Sequence, residues 1–73
     1  MTWFEEIRTL VTGRWKRGAT FTLSQVYEFE RALSQAHPRN RFVREKIRQT
    51  LQRLRDAGVI AFTDNDGTYR RIH

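Results

Sequence analysis

Arg41, Glu45, Gln49 and Gln52 follow one another at spacings of four, four and three, which on an α-helix places them along a single stripe. Arginine donates two hydrogen bonds to guanine O6 and N7, glutamine pairs with adenine N6 and N7, and glutamate accepts from cytosine N4. The stripe therefore carries the chemistry of base readout in a DNA major groove. Arg44 and Arg48 flank it on one shoulder and Lys46 and Arg53 on the other, cations that suit phosphates. Asn40 stands just ahead of the stripe. Phe42 is out of place there, an apolar ring directed away from the helix's other, apolar side. It has two readings: it covers the turn at His37-Pro38, or it reaches the groove floor, where a ring meets a thymine methyl or a methylated adenine.

Any charged amphipathic helix has a polar outer face for solvation alone, and the charge distribution decides against that reading. The 73 residues carry 14 Lys and Arg against 8 Asp and Glu, a net charge of +6. Residues 1 to 38 hold five basic and four acidic groups, whereas residues 39 to 55 hold seven basic groups against Glu45 alone. An excess packed into one short segment creates a local field suited to a polyanion, nucleic acid before anionic lipid.

The elements that must position this stripe are legible from periodicity. Behind Asn40, read as an N-cap, Val43, Ile47, Leu51 and Leu54 lie within about 80° of arc, and Gly58 is placed to stop the helix in a left-handed conformation. The spacing predicts a helix from about Arg41 to Asp56. Upstream, Thr2 with Glu5 and Thr22 with Gln25 are capping-box pairs. The first opens a helix through Trp3, Phe4, Ile7, Leu10 and Val11 that Gly13 stops. The second opens a helix whose stripe is Val26, Phe29, Leu33 and Ala36, ending before Pro38. Ala19 to Phe21 can form one very short strand. Val59 to Thr63 and Thr68 to Ile72 read as a hairpin around Asp64-Asn65-Asp66-Gly67, with Gly67 supplying a positive φ. The order is that of an α+β, mostly helical winged helix-turn-helix: three helices and a small antiparallel sheet ending in a wing.

A chain of this length buries a thin core, so Trp3 and Trp15 are assigned to the core or its edge over a stacking platform, and Tyr27 and Tyr69 are read as half-buried with wet hydroxyls. His37 is read as a turn residue, with a place near a phosphate as its alternative. Arg70 and Arg71 alternate sides of a strand, so at most one faces DNA, and Asp64 and Asp66 would keep the wing tip off a phosphate backbone. The chain lacks cysteine, its histidines stand 36 positions apart, and no run of 18 apolar residues occurs. No metal, cofactor, membrane span or secretory signal is expected, and no catalytic set assembles. One domain over residues 1 to 73 is expected, in a prokaryotic cytoplasm and at the nucleoid through DNA.

The string Phe21-Thr22-Leu23, Val26-Tyr27-Glu28-Phe29-Glu30, His37-Pro38-Arg39-Asn40, Lys46-Ile47-Arg48-Gln49, Leu51-Gln52 and Leu54-Arg55-Asp56-Ala57-Gly58 resembles one family. It is that of the C-terminal winged-helix domains of DpnI and related Dam-replacing restriction endonucleases. The resemblance covers about residues 20 to 70. It implies a fragment of a larger protein, fused to or working with a nuclease domain, that binds duplex DNA at GATC-like sites carrying N6-methyladenine. It also implies that Asn40, Arg41, Arg44, Lys46, Arg48 and Gln49 face the major groove. Thr50 departs from the family where relatives commonly have a second glutamine, Phe42 where a polar or histidine residue is common, and the acidic wing tip is longer than in many relatives. Two other readings compete with a methylated-adenine reader. One is a sequence-specific winged-helix binder indifferent to methylation, a repressor or targeting domain. The other is a module whose basic face meets an acidic protein partner.

Overall fold

The computed structural model describes residues 2–63 and 67–73. The expected wing tip, Asp64-Asn65-Asp66, lies outside the described residues. Helix α1 spans Trp3–Arg14, and Thr2 caps it: its hydroxyl oxygen accepts from the Glu5 amide at 3.1 Å. The reciprocal leg differs from a full capping box, because the Glu5 carboxylate meets the Thr2 hydroxyl rather than its backbone. Gly13 does not stop this helix. It lies inside it, and the chain turns extended only at Trp15.

Strand β1 (Thr20–Thr22) comes next and runs directly into α2 (Leu23–Val26), where the capping box is complete. The Gln25 amide donates to Thr22 Oγ1 at 3.2 Å and the Thr22 amide to Gln25 Oε1 at 2.8 Å. The second expected helix is interrupted: a 3₁₀ turn at Tyr27–Phe29 separates α2 from α3 (Glu30–Ala36). Each 3₁₀ residue advances roughly 120° instead of 100°, so three of them rotate the face of α3 by about 60° relative to α2. Val26 and Leu33 are buried and Phe29 half-buried, but Ala36, expected on the same stripe, is exposed at the helix end.

Helix α4 spans Val43–Asp56 and starts two residues later than the expected Arg41. Its far end is a Schellman motif, in which the Val59 amide donates to the Leu54 carbonyl at 2.9 Å and the Gly58 amide to that of Arg55 at 3.0 Å. Gly58 takes φ 80° to make it, a conformation that side-chain-bearing residues resist. Strands β2 (Ile60–Phe62) and β3 (Thr68–Arg71) close the chain. The antiparallel sheet has the order β1-β3-β2, with Phe21 opposite Tyr69 and Tyr69 opposite Phe62. Opposed residues share a face, so these three rings form a ladder, with centroids 5.4 and 5.1 Å apart. Gly67, at φ 76° as expected, brings the base of the wing to the start of α2, where the Leu23 amide donates to its carbonyl at 2.8 Å.

The core lies between α1, α4 and the sheet, with Val26 of α2 and Leu33 of α3 joining it. Ile7 and Val11 of α1 meet Ile47, Leu51 and Leu54 of α4, and Phe21, Ile60 and Tyr69 close it from the sheet. Trp15 stacks on Phe21 at 4.3 Å, so its assignment to the core holds. Tyr69 is buried more fully than its half-buried reading. This is a winged helix-turn-helix, with α2 to α3 and α4 as the two helices of the motif. Among the described residues no helix is long and apolar enough to cross a membrane.

Candidate nucleic-acid interface

The start of α4 is set by polar contacts ahead of it. Asn40 is not the N-cap; its Oδ1 accepts from the Phe42 amide at 2.8 Å, and its own amide donates to the His37 carbonyl at 3.0 Å. Such an Asx turn offers the backbone an alternative to helix, which holds Arg41 and Phe42 outside α4. Phe42 is therefore the residue just before the helix, and it is 66% exposed. That exposure leaves little of it to cover the His37-Pro38 turn.

That turn is held instead by α1. The Trp3 ring stacks on His37 with centroids 4.2 Å apart, and His37 Nε2 lies 2.6 Å from a Glu6 carboxylate oxygen. His37 is thus more than a turn residue, since it links the first helix to the loop that leads into α4. No local motif marks this contact, which joins residues 31 positions apart.

Along α4, Val43, Ile47, Leu51 and Leu54 are buried as their spacing predicts, and Thr50 joins them. Its hydroxyl donates to the Lys46 carbonyl at 2.7 Å, satisfying the one polar group on the inner face. Thr50 therefore belongs to the packing, not to the outer surface. Glu45, Gln49 and Gln52 are exposed together with Arg48, and these four line one shallow cleft. Arg41 shares the exposure but precedes the helix, so its position is set by the Asx turn and not by the helical wheel. Arg53 is exposed on the far shoulder and Lys46 half-buried.

The near shoulder is organised further. Arg44, Arg48 and Arg55 fall within about 40° on the wheel and form a ridge. The Arg44 guanidinium lies 4.7 Å from the Tyr27 ring centroid and its Nε donates to Glu30 at 2.8 Å. The Arg55 guanidinium lies over the Phe62 ring of β2, 4.6 Å from its centroid. Between them, the charges of Arg48 and Arg55 pull the Tyr69 phenol down, while burial, the largest influence, and Tyr27 raise it, leaving it above its usual value. Arg55, absent from the expected stripe and shoulders, is thus the ridge's link to the wing. Its i, i+7 spacing from Arg48 was the available signal.

The two wing arginines do alternate. Arg70 is exposed on the outer face, whereas Arg71 turns back: its Nη1 donates to the carbonyls of Thr12 and Trp15 at 3.1 and 2.8 Å. A cation there complements the carboxyl end of α1, so Arg71 is engaged in joining the sheet to that helix. The outer face of α4 joins hydrogen-bonding residues to flanking cations on the second helix of a helix-turn-helix, an arrangement suited to a DNA groove. The family model of the Dam-replacing HTH domain (DpnI_C) matches residues 2–71, and the chain belongs to that family of DNA-binding helix-turn-helix domains.

Proposed function

We propose that this domain reads N6-methyladenine in GATC-like duplex DNA through the major groove, as the specificity module of a modification-dependent restriction endonuclease whose nuclease domain is separate. The observation that carries the reading is the exposed Phe42 ring at the head of a base-reading stripe, Glu45, Gln49 and Gln52. N6-methyl groups of adenine lie in the major groove and replace an amino hydrogen by apolar surface. An exposed ring beside arginine stems gains by covering that surface. Asn40, Arg41 and Arg48 flank the ring and stripe. Lys46 and Arg53 take phosphates, and Arg70 is the wing arginine left exposed for a further contact. Burying one methyl contributes about 0.8 kcal/mol, so two give roughly a tenfold preference.

Fluorescence anisotropy with three GATC duplexes, unmethylated, hemimethylated and doubly methylated at adenine, tests the reading. At least tenfold tighter binding of the doubly methylated duplex is expected. Equal affinity for all three would contradict methyl reading and leave a methylation-indifferent binder; about five phosphate contacts predict a log-log salt slope near −4.5 in either case.

A further inference from the structure

We infer that Arg44 is a pre-oriented guanidinium whose outer edge takes a pair of DNA acceptor atoms, and that Glu30 and Tyr27 are the positioning residues that aim it. The inference rests on the DNA-binding reading of α4. Two separate contacts fix the group. Glu30 accepts from Nε at 2.8 Å, and the Tyr27 ring lies against the guanidinium at 4.7 Å. Both come from the segment preceding α4 in the helix-turn-helix. Among the described residues Nη1 and Nη2 have no protein acceptor, and the Arg44 side chain is 62% exposed.

A guanidinium is planar, so with Nε held by Glu30 and the group anchored over the Tyr27 ring, the paired N–H groups left to a ligand are those of Nη1 and Nη2. That pair matches guanine O6 and N7, or two oxygens of one phosphate. The shared chemistry is a paired acceptor.

Two further points favour aiming over stability. An ion pair this exposed contributes little to folding. Moreover, Arg44 sits in the first turn of α4, where the helix dipole disfavours a cation. A local rule broken without a structural gain is typical of a functional position.

Charge alone makes the opposite forecast for Glu30. Near a polyanion a carboxylate repels, so its removal should tighten binding. Glu30→Ala, Glu30→Gln, Tyr27→Leu and Arg44→Ala are compared by anisotropy on the doubly methylated GATC duplex and on a shuffled duplex of equal length, with melting temperatures as the folding control. Positioning predicts that Glu30→Ala, despite losing a negative charge, weakens binding to the GATC duplex about fivefold, an effect absent in the Arg44→Ala background. Glu30→Gln, which keeps an acceptor for Nε, recovers most of the loss, and Tyr27→Leu reproduces part of it. Tighter or unchanged binding by both Glu30 variants overturns the inference, as does an Arg44→Ala domain that binds like wild type.

The source of the acceptors separates within the same data. A phosphate gives equal loss on both duplexes and a salt slope shallower by about 0.9, whereas guanine confines the loss to the GATC duplex, and 7-deazaguanine there reproduces it. A wild-type domain that binds neither duplex would overturn the DNA reading itself.

Discussion

The two faces of α4 have been built for different tasks from the same 14 residues. On the inner face, Val43, Ile47, Thr50, Leu51 and Leu54 are all buried, and the one polar side chain among them bonds within its own helix. On the outer face, Glu45, Gln49 and Gln52 make no hydrogen bond with another described residue through their side chains. Satisfied groups hold a fold, and groups left to water are those a ligand can claim. Substitutions on the two faces should therefore fail in different assays.

The largest effect belongs inside. Ile47 is completely buried in the core, so Ile47→Ala should lose about 2–5 kcal/mol of stability, read as a fall in the urea midpoint at constant slope. Any loss of DNA binding should then track unfolding. A loss below about 0.5 kcal/mol would mean that the inner face packs more loosely than its burial implies. Outside, Arg48→Ala and Gln49→Ala should leave the urea midpoint unchanged and cost about 1–3 kcal/mol in DNA affinity. Wild-type affinity in both would put the DNA on another surface.

Phe42 sharpens the comparison, because it is apolar yet exposed. Phe42→Ala is expected to keep the domain's stability while its methyl preference falls by about tenfold. A large drop in melting temperature instead would return Phe42 to a packing role. The smallest effect concerns Tyr69, whose phenol sits above its ordinary value of 10.0 through burial first and Tyr27 second, against the pull of Arg48 and Arg55. The unfolded chain releases this proton near pH 10 and the folded domain holds it longer, so stability is whole below that pH and declines as pH climbs past it. Melts from pH 9 upward should show a shallower decline for Tyr69→Phe than for wild type; parallel curves would show that this phenol carries no linkage.

How far these two faces were legible in the sequence depended on the range of the interactions. The stripe Val43, Ile47, Leu51, Leu54 and the Thr22-Gln25 capping box are local patterns, and both hold in the structure. The Gly58 stop and the positive φ of Gly67 hold for the same reason. Boundaries failed where a side chain competed with the helix: the Asx turn of Asn40 moved the start of α4 beyond Arg41 and Phe42. The 3₁₀ turn at Tyr27–Phe29 has no marker in the periodicity, since Val26, Phe29 and Leu33 fit an uninterrupted helix almost as well. What stayed hidden in the site was long-range. His37 with Trp3 and Glu6, Arg44 with Glu30 and Tyr27, and Arg71 with the end of α1 all join segments whose meeting depends on the finished fold.

The most direct test of the central claim, that DNA lies on the outer face of α4, is amide chemical-shift mapping during titration with the doubly methylated GATC duplex. The largest changes should fall from Asn40 through Arg53, strongest near Phe42, Glu45 and Gln49, with α1 nearly silent. Changes concentrated instead around Arg14, Lys16 and Arg17, with α4 unmoved, would contradict it.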